Sequence, residues 1–154
     1  MLEDEIKVDS SMEGKITFSY IDEFEDKEIT CEIQCDEPEK AVLLEQFDKL
    51  LNDPKLVGFD FANCMLIFEH GSRFETQIFD LDKNVYKATA EWIKTLNIPV
   101  DVDVIIWVDG DPPIMQFNDI INGMYDAAGL IGDAMVSYNG IHHDDDQIRI
   151  SIWF

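Results

Sequence analysis

Basic residues are scarce in this chain. Lys and Arg number 11 against 33 Asp and Glu, a formal net charge of −22 over 154 residues. Affinity for DNA or RNA comes largely from Lys and Arg neutralising phosphates, so direct nucleic-acid binding is disfavoured. An anionic bilayer surface would repel the chain for the same reason. Long apolar runs are missing too; none approaches the roughly 20 residues that span a membrane. Met1-Leu2-Glu3-Asp4-Glu5 is acidic and has no apolar core of a secretory signal. Both features point to a cytoplasmic location. Cysteine is sparse and odd in number: Cys31, Cys35 and Cys64. That argues against a disulfide framework and for a reducing compartment. The glycines make no G-x-G-x-x-G or G-x-x-x-x-G-K phosphate cradle, and no G-x-S-x-G elbow is present. Nothing supports an enzyme, and no cofactor is expected.

Aromatic and aliphatic residues are plentiful. Ten Phe, three Trp and four Tyr stand in a chain that is 46% apolar. Disordered acidic chains lack such residues, so this one folds. Its charge is unevenly placed. Residues 1–40 hold 14 acids and 4 bases, residues 41–98 hold 9 and 6, and residues 99–154 hold 10 and 1. Self-repulsion of this size costs folding stability. A return consistent with it is attraction of a strongly basic partner.

Residues 1–14 read as an acidic arm and residues 15–154 as a single globular domain. Ile16, Phe18 and Tyr20 alternate with polar residues, as do Ile29, Cys31, Ile33 and Cys35, on either side of an acidic loop over 22–27. This is a β-hairpin pattern. Asp36 and Pro38 open a helix that Asn52-Asp53-Pro54 ends. Val57–Phe61, Met65–Glu69 and Phe74–Phe79 read as strands. Asp82 precedes a second helix, Asn84–Leu96. Val100–Val108 reads as a strand, followed by a third helix from Met115 to Leu130. Strands Ala134–Tyr138 and Ile148–Phe154 close the chain. The pattern predicts an α+β fold: one domain, a mixed or mainly antiparallel sheet, and about three helices covering one face.

Two clusters invite a metal. His142-His143-Asp144-Asp145-Asp146, with His70 at a distance, has ligand types suited to Zn or Mn. Asp109-Gly110-Asp111 sets two carboxylates at a strand end. Adjacent side chains point apart in extended backbone, so the first reads as a polar loop. The second reads as an Asp/Gly turn before Pro112-Pro113. No metal is expected at either.

A surface that binds a basic protein fits better. On a strand, Asp101 and Asp103 would stand about 6.5–7 Å apart on one face, an ordered anionic array resembling nucleic acid. Trp107 shares that face with Asp101, Asp103 and Asp109, and Trp153 is out of phase with the apolar face of the last strand. Aromatic anchors inside a polar rim are typical hot spots. Asp111, Asp144, Asp145 and Asp146 lie in loops and need no burial. The expected function is an acidic inhibitor that occludes a nuclease or other nucleic-acid-binding protein, as an immunity protein or a phage anti-defence protein. The alternatives are a metal-dependent protein using the Asp109/Asp111 or His142/His143 loops, and an acidic structural subunit.

The segment Ile98 to Tyr138, with Pro-Val-Asp-Val-Asp-Val, a turn, a helix ending Ala127-Ala128-Gly129 and a strand, is similar to the periplasmic domain of ExbD/TolR-type transport proteins. It has no specific motif and lacks the membrane helix of that family, so it is read as a common β-α-β pattern.

Overall fold

The computed structural model of the chain describes residues 6–22, 24–52, 72–110, 112–139 and 146–154. The α+β class is what these residues form: seven strands and three helices, the strands in mixed pairing. Two compact units are distinguished, the first within residues 1–75 with Trp153, the second chiefly residues 76–152 with Phe154. The expected strands at 57–61 and 65–69 lie outside the described residues.

In the first unit the strands are β1 (Lys7–Asp9), β2 (Lys15–Asp22), β3 (Lys27–Gln34) and the start of β4 (Ser72–Asp80). β1, β2 and β3 pair antiparallel, and β3 meets β4 in parallel at Ile33–Ser72 and Gln34–Arg73. Residues 7–9 of the segment read as an arm are therefore an edge strand. The alternation of β2 and β3 does what it predicts: Ile16, Phe18, Tyr20, Cys31 and Ile33 are buried. Phe74 and Trp153 join them edge to face at 5.9 Å.

Helix α1 (Glu37–Asn52) opens at Asp36, whose carbonyl accepts from Glu39 N and Lys40 N. Its Lys40 is buried, yet fully engaged. Nζ lies 2.9 Å from Glu37 Oε1 and donates to the carbonyls of Ser10 and Met12. Glu37 in turn accepts from Gly14 N at 3.2 Å. The latch ties the β1–β2 loop to the helix start. Removing its ammonium leaves two carbonyls in part-buried bonds without this donor, which costs about 1–2 kcal/mol. Lys40→Met should lose that much in urea unfolding at neutral pH.

The Glu37 carboxyl is held below its ordinary pKa, first by the hydrogen bond from Lys40 and then by that from Gly14. A carboxylate with a lowered folded pKa stabilises above its unfolded pKa, and that contribution fades as pH falls through the folded value. The deficit of Lys40→Met should therefore shrink below about pH 4, without vanishing, since the carbonyl bonds do not titrate.

The second unit holds the rest of β4, α2 (Val85–Thr95), β5 (Val104–Asp109), α3 (Ile114–Ala128), β6 (Ala134–Asn139) and, except for Trp153, β7 (Gln147–Trp153). Its strand order is β4-β7-β5-β6. Thr76 bonds Ser151, Asp80 bonds Gln147, and Leu81 N donates to Asp146 O. Rising numbers on β4 meet falling numbers on β7, so the pair is antiparallel. β5 and β6 run parallel from Val104–Ala134 to Asp109–Asn139, with α3 as their crossover.

Val104, Ile106 and Val108 of β5 and Ile148, Ile150 and Ile152 of β7 form one apolar sheet face. Val85, Ile93, Ile120 and Met124 of the two helices pack against it. Asp82 shapes the turn before α2 by accepting from Asn84 N at 2.8 Å. Thr89 is buried in that helix, and its hydroxyl donates to Val85 O at 2.9 Å. Gly129 ends α3 in the left-handed region, φ 65°, which glycine adopts without steric cost.

Candidate interaction site

The structure alters the expected array in two ways. Strand β5 begins at Val104, not Val100, so Asp101 and Asp103 lie in a turn and a connecting residue rather than on one strand face. The Val-Asp alternation mimics a strand, but Val102 N turns back to Pro99 O, and pairing with β6 starts only at Val104–Ala134. The second change concerns the aromatic anchors. Trp107 is 2% exposed and Trp153 is fully buried. β5 lies between β7 and β6, and all six of its residues are buried. Trp107 Nε1 donates to Asp109 Oδ1 at 2.9 Å, two residues on and on the same face. Asp109 is thus a buried acceptor, 4% exposed, and not part of an acidic surface. Asp146 is exposed. Asp111, Asp144, Asp145, His70, His142, His143 and Cys64 lie outside the described residues.

What the fold assembles instead is a pole of the second unit, at the start of β5 and β6. The loop of residues 99–103 meets the loop of residues 129–133. Ile131 N donates to Val100 O at 2.7 Å and Val104 N to Asp133 O at 3.0 Å. Asp103 Oδ1 accepts from Asp133 N at 2.8 Å, which fixes both segments. Gly132 lies so close that an added Cβ would stand 2.2 Å from Val102 O.

This clasp presents two aliphatic side chains to solvent, Val100 at 51% and Ile131 at 78% exposure. Around them stand Asp101, Asp103 and Asp133, with Asp126 in the last turn of α3, all four exposed. Among the described residues none of the four is in an ion pair. The sequence has no Lys or Arg between Lys94 and Arg149. Elsewhere the bases are used locally: Lys15 with Glu32, Lys27 with Glu25, Arg73 with Glu75.

Asp126 is placed against local stability. The C-terminal end of a helix carries partial negative charge and favours a cation, by about 0.3–1 kcal/mol. The last turn of α3 has no base. The pole therefore combines a small apolar centre with unneutralised carboxylates, which can attract and seat a cationic surface.

The remaining chemistry is quiet. Among the described residues no group of three His, Cys, Asp or Glu is placed to hold a metal. Cys31 and Cys35 are buried. Desolvation pushes the Cys35 thiol up to about 11, so it is a thiol rather than a nucleophilic thiolate at neutral pH.

No family model matches the chain. No curated protein matches it either. Among solved structures it is similar to an FtsZ variant from M. jannaschii, with TM-score 0.56 at 13% identity over 77% of this chain and 39% of that one. An empty FtsZ dimer from the same organism gives 0.54 at 12% identity, over 75% of this chain and 37% of that one. The chain thus spans less than two-fifths of the length of either FtsZ chain. At this identity the likeness is one of fold alone.

Proposed function

We propose that this chain is a binding protein that occludes a basic protein partner. A nuclease or another nucleic-acid-binding effector is the class whose cationic site suits it, in the manner of an immunity protein or a phage anti-defence protein. The observation that supports this most is the pole around Val100 and Ile131, where four exposed carboxylates have no cation among the described residues and one of them destabilises its own helix. Charge kept where it opposes folding points to use outside the fold. Two aliphatic side chains give the contact a dry centre, and the carboxylates steer and orient the approach.

The reading places the protein in the cytoplasm, where such effectors act. No helix among the described residues is long and apolar enough to cross a membrane.

The test has two stages. The purified chain captures partners from cells of its source, and salt elutes them. Labelled DNA or RNA is then bound to the eluted protein and the chain is added back. Release of the nucleic acid at stoichiometric amounts is the expected result. Partners that are not basic, or a basic partner that keeps its nucleic acid when this chain binds, would overturn the reading.

A further inference from the structure

The first unit carries a second exposed apolar group in an acidic setting. Phe24 sits at the tip of the β2–β3 hairpin and is wholly exposed. The last pair of that hairpin is Asp22–Lys27, so Phe24 projects beyond the sheet. The tip is held in one shape. Asp22 Oδ1 accepts from Phe24 N at 2.9 Å and from Glu25 N at 3.4 Å. Asp26 takes the left-handed conformation, φ 49°, that closes the turn. Ile21, directly below the tip on β2, is 49% exposed, beside a shallow recess lined by Lys7, Ser19, Tyr20 and Glu28.

Single exposed apolar residues are ordinary on protein surfaces. This one differs in its surroundings. Asp22, Glu25, Asp26 and Glu28 all lie within four residues of it in the chain, and Lys27 is engaged by Glu25 at 2.5 Å. An aromatic ring within an acidic collar complements an apolar pocket with a cationic rim. A second copy of this chain, itself at −22, is a poor occupant, and an anionic membrane is another.

We propose that the hairpin tip is a docking finger: Phe24 enters an apolar pocket on a basic protein, and the four carboxylates meet the cationic residues around it. This rests on the reading that the partner is a basic protein.

The test uses two labelled peptides of equal length and charge, one of Lys and Ser and one of Lys and Leu with a helical apolar stripe. Wild type should bind the Lys/Leu peptide more tightly. Phe24→Ala should lower that affinity about tenfold, the loss expected from one unburied aromatic ring. It should leave binding of the Lys/Ser peptide unchanged. Phe24→Leu should retain most of the preference, and Met115→Ser, at an exposed apolar residue outside both sites, should not reproduce the loss. The ring is fully exposed, so melting temperatures of the Phe24 variants should match wild type. A preference that survives Phe24→Ala, an equal loss for both peptides, or no preference in wild type would overturn the docking finger while leaving the basic-partner reading standing. Wild type that binds neither peptide would overturn both.

Discussion

Reversing charge at the pole, with Asp101→Lys, Asp126→Lys and Asp133→Lys together, should weaken binding of the basic partner about 50-fold at low salt. Two unit charges about 10 Å apart in water interact by only ~0.4 kcal/mol, so each reversal changes the energy by ~0.8 kcal/mol and three by ~2.5 kcal/mol. The same variant should be more stable than wild type. It removes mutual repulsion among carboxylates and puts a cation at the C-terminal turn of α3, where the helix dipole favours one by about 0.3–1 kcal/mol. Opposite signs for binding and stability separate a functional carboxylate cluster from incidental acidity. Asp103 is left intact because it holds the Asp133 amide. A matched reversal of Glu3, Asp4 and Glu5 is the control. Equal losses from both triples would mean that the partner senses bulk charge and that no localised site exists.

Gly132→Ala should be among the most damaging single substitutions at this pole. The new Cβ would stand 2.2 Å from Val102 O and 2.6 Å from its carbonyl carbon, both backbone atoms that no rotamer change can move. Overpacking that forces backbone shifts costs about 1–3 kcal/mol and sometimes more. The loops must part, so the Ile131–Val100 and Asp133–Asp103 bonds weaken together. Urea unfolding should show the loss, and partner affinity should fall with it. Gly123→Ala, within α3, is the internal contrast. Nothing lies within 4 Å of its added Cβ, and glycine costs a helix interior about 0.8–1 kcal/mol relative to alanine. It should be neutral or stabilising. Two glycines nine positions apart in sequence should thus move stability in opposite directions. A neutral Gly132→Ala would mean that the two loops do not approach as described.

Much of this fold is legible from periodicity. The alternation through Ile16, Phe18 and Tyr20 gives the hairpin because only one face of that ribbon is buried. The helices announce themselves by spacing and by the residues at their ends, Asp36, Asp82 and Gly129. The reading fails where a local pattern is indifferent to its neighbours. Val100 to Asp103 alternates like a strand, yet it has no partner to pair with before Ala134, and a strand without a partner becomes a turn. Trp107 and Asp109 do share a face, as a period of two requires. Periodicity cannot say that the face is covered, nor that the indole spends its donor on Asp109.

The pole was half visible. Asp101 and Asp103 stand out as carboxylates, but their meeting with Ile131 and Asp133 depends on the register of β5 with β6 across some thirty residues of chain. Gly132 was the signal available: a glycine three residues past a helix-ending glycine, beside an Asp and before a strand, marks a close backbone approach. Phe24 is equally plain as a lone aromatic in a run of acids, but the run itself does not say that the ring is exposed.

The association rate of the chain with its captured basic partner, followed across ionic strength, tests the central claim most directly. Exposed charges more than about 10 Å apart are largely screened near 0.1 M salt. If carboxylates steer the encounter, the rate at low salt should exceed the unsteered range of about 10⁵–10⁶ M⁻¹s⁻¹ and fall at least about tenfold as salt rises. A rate that stays flat across the same range would contradict an electrostatic occluder.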